Sequence, residues 1–185
     1  MAATPSVMTP LGSKAPDFKL PDTISGNHVS LQDVKGKKAT VVMFICNHCP
    51  YVKHVNPALV KIARELKSGD VSFVAISSND IKQYPEDGPQ QMKVTAKQGG
   101  YTFPYLYDET QEVARAYDAA CTPDFFVYDS DLALAYRGQF DDSRPGNNIP
   151  VTGSDLRKAI ETLVAGKQVS PKQKPSIGCN IKWKS

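Results

Sequence analysis

The stretch Thr40-Val41-Val42-Met43-Phe44-Ile45-Cys46-Asn47-His48-Cys49-Pro50-Tyr51-Val52 decides how this chain reads. Its first half is a continuous run of apolar, β-branched and aromatic residues. Such a run suits a strand buried on both faces, as in a sheet covered by helices. Its second half turns helical. Val52, Val55, Leu59, Ile62 and Leu66 recur at three- or four-residue steps and mark one apolar face. Ser68-Gly69 ends the pattern, and Pro57 inside it predicts a kink. Between strand and helix stand two cysteines with two residues between them.

That spacing carries chemistry. It predicts Cys46 near the helix N-terminus, where free backbone N–H groups and the positive end of the dipole favour a thiolate. Both sulfurs then fall within one helical turn, close enough to bond, since Cα atoms about 5–6 Å apart suffice. One cysteine can attack a disulfide and the other resolve the mixed disulfide. His48, between them, can stabilise the thiolate as a cation and move protons near neutral pH. Zinc is a competing reading. The other candidate ligands are His48, His54, Cys121 and Cys179, but structural zinc wants four ligands and no second close pair exists. The reading therefore assigns no metal and no organic cofactor. A non-catalytic module that binds a metal or a partner through these thiols is the second alternative.

The rest of the chain supplies an alternating series. Ala15-Pro16-Asp17-Phe18-Lys19-Leu20 and Val29–Leu31, around Ser25-Gly26-Asn27, suggest an N-terminal hairpin. Val71–Ile76 reads as a second buried strand, residues 84–89 as a loop, and Gln90–Lys97 as a weak helix. Thr102–Tyr107 looks extended, with Pro104 favouring an edge position. Asp108 begins a helix with Gln111 three residues on, a capping box. Phe125–Tyr128 and Leu132–Arg137 form a hairpin about Asp129-Ser130-Asp131, and a last helix follows Thr152 and ends before Gly166. Strands alternating with helices and closing on a hairpin and helix mean an α/β fold, a central mixed sheet flanked by helices. Right-handed crossovers put the two cysteines at the carboxyl edge of a central strand, where open α/β sheets bind their ligands. The expected organisation is a flexible arm over 1–14, one domain over 15–166, and a basic tail over 167–185 packed on that domain.

Composition fits. The chain has 185 residues, 41% hydrophobic and 22% charged, with net charge +3. That suits one globular domain whose core needs no disulfide staples, and it gives no reason to expect nucleic acid. The absence of a ~20-residue apolar span or a secretory leader leads to the expectation of a cytoplasmic protein with no membrane contact. Four cysteines in a reducing compartment point to redox or metal chemistry rather than a scaffold.

Ala15-Pro16-Asp17-Phe18, Val29-Ser30-Leu31-Gln32-Asp33 and Gly36-Lys37, followed by a strand running into a cysteine, resemble the start of peroxiredoxins and TlpA-like thioredoxin-fold proteins. Phe44–Val52, together with Pro175-Ser176-Ile177-Gly178-Cys179-Asn180-Ile181-Lys182-Trp183, resembles the peroxiredoxin-like proteins of the AhpC/TSA (redoxin) group. The resemblance implies a thioredoxin-like fold with an inserted strand–helix segment near Gln90–Tyr107. It also implies a cis peptide at Thr122-Pro123, facing the cysteines, with the Thr122 backbone free to pair with an incoming peptide. On it, the chain is a thiol–disulfide oxidoreductase with Cys46 as nucleophile and Cys49 as the more buried resolving thiol. Its partner is another thiol or disulfide protein.

The alternative is a thiol peroxidase acting on a peroxide, with Cys49 attacking and Cys46 resolving. Against it, Cys46 stands where a peroxiredoxin keeps threonine, Val42 where it keeps proline, and no arginine falls near Thr122-Pro123. Arg137 and Arg144 read as surface charges. Cys121 and Cys179 are auxiliary thiols, expected buried and inert. No motif demonstrates the homodimer that this group admits.

Overall fold

The run at 39–44 has no polar alternation because neither of its faces meets water: every one of its side chains is buried. The computed structural model describes residues 3–185. Its strands are β1 (Ala3–Pro5), β2 (Lys19–Pro21), β3 (His28–Ser30), β4 (Ala39–Phe44), β5 (Val71–Ser77), β6 (Tyr105–Tyr107), β7 (Cys121–Thr122), β8 (Asp124–Tyr128), β9 (Leu134–Gly138) and β10 (Ile177–Asn180). The helices are α1 (Pro50–Leu66), α2 (Pro89–Gly99), α3 (Glu112–Ala116) and α4 (Ser154–Val164). The main sheet runs β6-β5-β4-β8-β9, with β6, β5 and β4 parallel to one another and β8 antiparallel to both of its neighbours, β4 and β9. This is the thioredoxin-like arrangement that the resemblance implies.

Successive residues of a strand point to opposite faces, so β4 feeds two cores. Val41 and Met43 pack with Val52, Val55 and Leu59 of α1 and with Leu156 and Ile160 of α4. Val42 and Phe44 pack with Phe18, Ala114, Tyr117 and Phe126 on the other side. The five apolar positions read from sequence on α1 span its core face, of which Leu66 is only partly buried. The β2–β3 hairpin pairs antiparallel, with Leu20 opposite Val29.

Three local readings differ. The extended segment at 102–107 contracts to Tyr105–Tyr107, because Pro104 has no N–H to give and β6 is an edge. The helix expected from Asp108 begins instead at Glu112. Asp108 and Gln111 are drawn into longer-range bonds: Asp108 Oδ2 accepts from Ser78 Oγ at 2.8 Å and from the Ala114 amide at 2.9 Å. Gln111 takes a left-handed backbone, and its side-chain amide donates to the Ser78 and Lys182 carbonyls.

The third difference lies at the ends of the chain. Residues 3–5, read as part of a loose arm, form β1 and pair with β10, Ala3 opposite Cys179. Residues 1 and 2 of that arm lie outside the described residues. The tail likewise holds a strand that its sequence did not announce, since β10 lies between β1 and β7. Its partners are more than 50 residues away, so no local pattern marks it. Ile181 is buried in the second core, and the Arg115 guanidinium lies 4.4 Å over the Trp183 ring. Among the described residues, no helix is long and apolar enough to cross a membrane.

Candidate active site

After β4 the chain runs irregularly through Ile45–His48 before α1 starts at Pro50. Pro50 fits there because its missing N–H falls among the donors that no helix bonds internally. Cys49 is therefore the N-cap of α1, and Cys46 lies three residues short of it. This corrects the expectation that Cys46 takes the helix N-terminus. The expected difference in exposure is also small: Cys46 is 2% exposed and Cys49 fully buried.

Cys49 is the sulfur at which the site converges. Its thiol is pulled down to about 5, first by the hydrogen bond from Cys46, against the opposing effect of burial. Cys179, the Val52 amide and Thr122 add to the pull. Cys49 Sγ lies 2.7 Å from Cys179 Sγ and 3.2 Å from the Thr122 carbonyl oxygen, which a protonated Cys49 can use as acceptor. Cys46 moves the other way. Its hydrogen bond to Cys49, its burial and the nearby Asp87 carboxylate all raise it, while the Thr122 hydroxyl, 3.5 Å away, opposes them. Cys46 is thus pushed towards the thiol and Cys49 towards the thiolate, the directions expected of two neighbouring groups that titrate as a pair.

His48 faces a carboxylate, Asp87, from the segment expected to be a loop. Its Nδ1 lies 2.5 Å from Asp87 Oδ2 and 3.8 Å from Cys46 Sγ. Its ring stacks on Tyr84 with centroids 4.9 Å apart. Asp87 is fully buried and also accepts from the Asn47 amide (2.8 Å), the His48 amide (3.1 Å) and Asn79 Nδ2 (2.8 Å). One buried carboxylate so fastens the loop between the cysteines, and satisfied donors are what allow it to stay buried. No local signal marks Asp87, because every donor except Asn79 lies 39 or 40 residues away.

Cys46, His48 and Asp87 offer donor atoms within 4.8 Å of one another, the arrangement that a metal ion would use. An ion there would have to displace bonds that Asp87 and His48 already make with each other. His54, another candidate ligand by sequence, bonds to Ser143 Oγ at 2.7 Å instead.

Thr122-Pro123 is cis and closes the far side of the site. Ser176 Oγ donates to the Pro123 carbonyl at 2.6 Å. Cys121 is buried, and its Sγ lies 3.7 Å from that same carbonyl rather than against a sulfur. Burial pushes its thiol up, which leaves it unreactive. Cys179, expected to be as inert, is instead in contact with Cys49. The arginines are not the surface charges expected. Arg137 is fully buried, with Nη2 3.2 Å from Asp124 Oδ2. Arg144 is half-buried and donates to the carbonyls of Asp141 and Ser143, both at 2.6 Å.

A pH titration of the reduced chain, followed by thiolate absorbance near 240 nm, is expected to show one thiolate appearing as pH rises through about 5. That step should vanish in Cys49→Ser and persist in Cys121→Ser. A first thiolate that appears only near pH 8 or above would contradict the assignment.

The chain is similar to solved and curated proteins. An uncharacterized conserved protein from Geobacillus kaustophilus shares 62% identity, covers 100% of this chain and 97% of its own, and superposes with a TM-score of 0.98. Thioredoxin-like protein YneN of Bacillus subtilis is 30% identical over 118 residues, 64% of this chain. The chain spans 65% of the length of the curated relatives it matches. The thioredoxin domain of a thiol-disulfide oxidoreductase from Bacteroides vulgatus shares the fold, with a TM-score of 0.63 at 20% identity, over 83% of this chain and 99% of its own. The AhpC/TSA family model matches residues 11–137, which takes in the hairpin, both cysteines of the central motif and the cis-proline, and the chain belongs to that family.

Proposed function

We propose that this protein is a thiol–disulfide oxidoreductase that works through Cys46 and Cys49. The observation that carries the reading is geometric: the two cysteines flank the start of α1 and face the cis Thr122-Pro123, with Cys46 Sγ 3.5 Å from the Thr122 hydroxyl and Cys49 Sγ 3.2 Å from the Thr122 carbonyl oxygen. Cys46 attacks one sulfur of a partner's disulfide, and its proton passes to Cys49. The partner's other sulfur leaves as a thiolate. Cys49 then returns its proton to the solvent or the leaving thiol and attacks Cys46 Sγ. This frees the partner's second thiol and leaves a Cys46–Cys49 disulfide, which another thiol protein reduces. At rest Cys49 carries the charge and Cys46 the proton, so attack by Cys46 requires that proton to pass to Cys49 as the new bond forms. His48 and Asp87 hold the loop between them, and Thr122 with Pro123 forms the opposite wall.

Family membership and the acidic Cys49 favour a second reading, peroxide reduction with Cys49 attacking and Cys46 resolving. Its difficulty is the peroxide's own partner. Arg137 is bound to Asp124 and Arg144 to loop carbonyls, so neither serves the sulfurs. Reduction of insulin disulfides, run beside stopped-flow mixing with hydrogen peroxide, separates the two. The expected result is insulin reduction well above a free-thiol control, with thiol loss to peroxide no faster than that control. Fast, saturating loss of the Cys49 thiolate with no insulin reduction would reverse the order.

A further inference from the structure

We propose that Cys179 is an internal redox partner of Cys49, so that the oxidised chain holds a Cys49–Cys179 disulfide fastening the tail over the dithiol. The proposal rests on the exchange reading above and adds a third thiol to it. Both sulfurs are buried and stand 2.7 Å apart, closer than two sulfurs in ordinary van der Waals contact.

The backbone explains why they meet. Strand β10 pairs antiparallel with β7, Cys179 opposite Thr122 and Asn180 opposite Cys121. Thr122, the residue before the cis-proline, is expected to be free to pair with an incoming peptide, but in the structure it is already paired with the tail. The chain's own tail therefore lies along that edge and presents a cysteine to the site, as a cysteine-bearing partner strand would. Gly178 permits the approach: a Cβ there would come within 2.0 Å of the Thr122 carbonyl oxygen. Ser176 pins the tail on both sides, its hydroxyl to the Pro123 carbonyl and its amide to Ser6 Oγ at 3.0 Å.

The step needs no oxidant beyond the disulfide substrate of the exchange reaction. Once a Cys46–Cys49 disulfide exists, Cys179 attacks Cys49 Sγ. The Cys49–Cys179 bond forms as the Cys46–Cys49 bond breaks, and the proton of Cys179 passes to the departing Cys46 sulfur. Sulfur oxidation is conserved overall. Burial and the Cys49 contact push the Cys179 thiol up to about 12, so proton and bond transfer go together. The product keeps its oxidising equivalent on buried sulfurs and locks β10 along β7, barring that edge to another strand.

The test is disulfide mapping of the full chain. Reduced protein is treated with oxidised glutathione, quenched in acid, blocked with N-ethylmaleimide and digested without reductant. A Cys49–Cys179 peptide is expected beside the Cys46–Cys49 one in the wild type and strongly reduced in Cys46→Ser, which cannot form the disulfide that Cys179 attacks. Cys179→Ser should yield only Cys46–Cys49. Gly178→Ala should lower the Cys49–Cys179 share by about fivefold or more, the low end of what an overpacked methyl costs. A wild type that forms Cys46–Cys49 and reduces insulin but never yields Cys49–Cys179 overturns the tail proposal alone. A chain that forms neither disulfide and exchanges no faster than a free thiol overturns the exchange reading, and the tail proposal with it.

Discussion

Cys49→Ser is expected to cut the steady-state rate of insulin disulfide reduction by roughly 10²–10⁴-fold, the usual worth of a positioned proton acceptor, with little change in stability. Two losses combine. Cys46 loses the sulfur that holds the negative charge and takes its proton, and the mixed disulfide loses the thiol that resolves it. The variant should therefore accumulate as a mixed disulfide through Cys46, visible by mass spectrometry after acid quenching. The fold should survive because serine is a favoured N-cap residue and Cys49 occupies that position in α1. Cys46→Ser should lose turnover to a similar extent but trap no partner at residue 46. Turnover in Cys49→Ser within about tenfold of the wild type would remove Cys49 from the mechanism, since that lies below the range a positioned base contributes.

Arg137→Leu is expected to lower the free energy of unfolding by about 3–5 kcal/mol at pH 8, the cost of stripping one partner from a buried ion pair. Arg137 has no exposed surface. It donates to Asp124 and to the Asp118 carbonyl (2.7 Å), contacts Thr9 Oγ1, and lies 4.3 Å over the Phe126 ring. Removing it leaves the Asp124 carboxylate buried without a counter-charge, its remaining donors the Ala120 and Phe125 amides.

The pH dependence has a definite sign. Burial already raises Asp124 to about 6 despite the guanidinium, which lies above the ~3.9 of an unfolded aspartate. A raised carboxyl favours the fold when protonated. That contribution is complete below the unfolded value and lost as pH rises through the folded one. Without Arg137 the folded value rises further, so the deficit of Arg137→Leu should shrink between pH 8 and pH 5 in urea unfolding. An equal deficit at both pH values would trace the loss to packing instead. Leucine at 137 combined with Asp124→Leu should recover much of the loss, because no buried charge then remains.

Much of the molecule was legible because its signals are local. A short run dominated by apolar β-branched and aromatic residues suits a strand covered on both faces, and β4 is that strand. A three-to-four-residue apolar rhythm can only be a helix with one buried side, and α1 follows it past Pro57. The Cys46–Cys49 spacing announces thiol chemistry in any context that puts it at a strand-to-helix junction. What escaped was long-range. Asp87 draws donors from the loop at residues 47 and 48 across 39 or 40 positions, and nothing around Pro85-Glu86-Asp87-Gly88 hints at them. Arg137 looked like a surface charge because its counterion, Asp124, lies on the neighbouring strand rather than beside it in sequence.

By itself, then, the sequence determined the main strands and helices of the central sheet and the presence of a dithiol, since each follows from residues within a turn or a strand of one another. Only the tertiary structure decided which sulfur holds the charge and which thiol it meets. Cys49 rather than Cys46 ends at the helix N-terminus because Pro50, not an earlier residue, starts α1. Cys179 reaches Cys49 because a strand 130 residues later crosses beside the cis-proline, through a gap that only glycine at 178 leaves open. Contacts across that separation are fixed by packing of the whole sheet, and no periodicity in the chain encodes them.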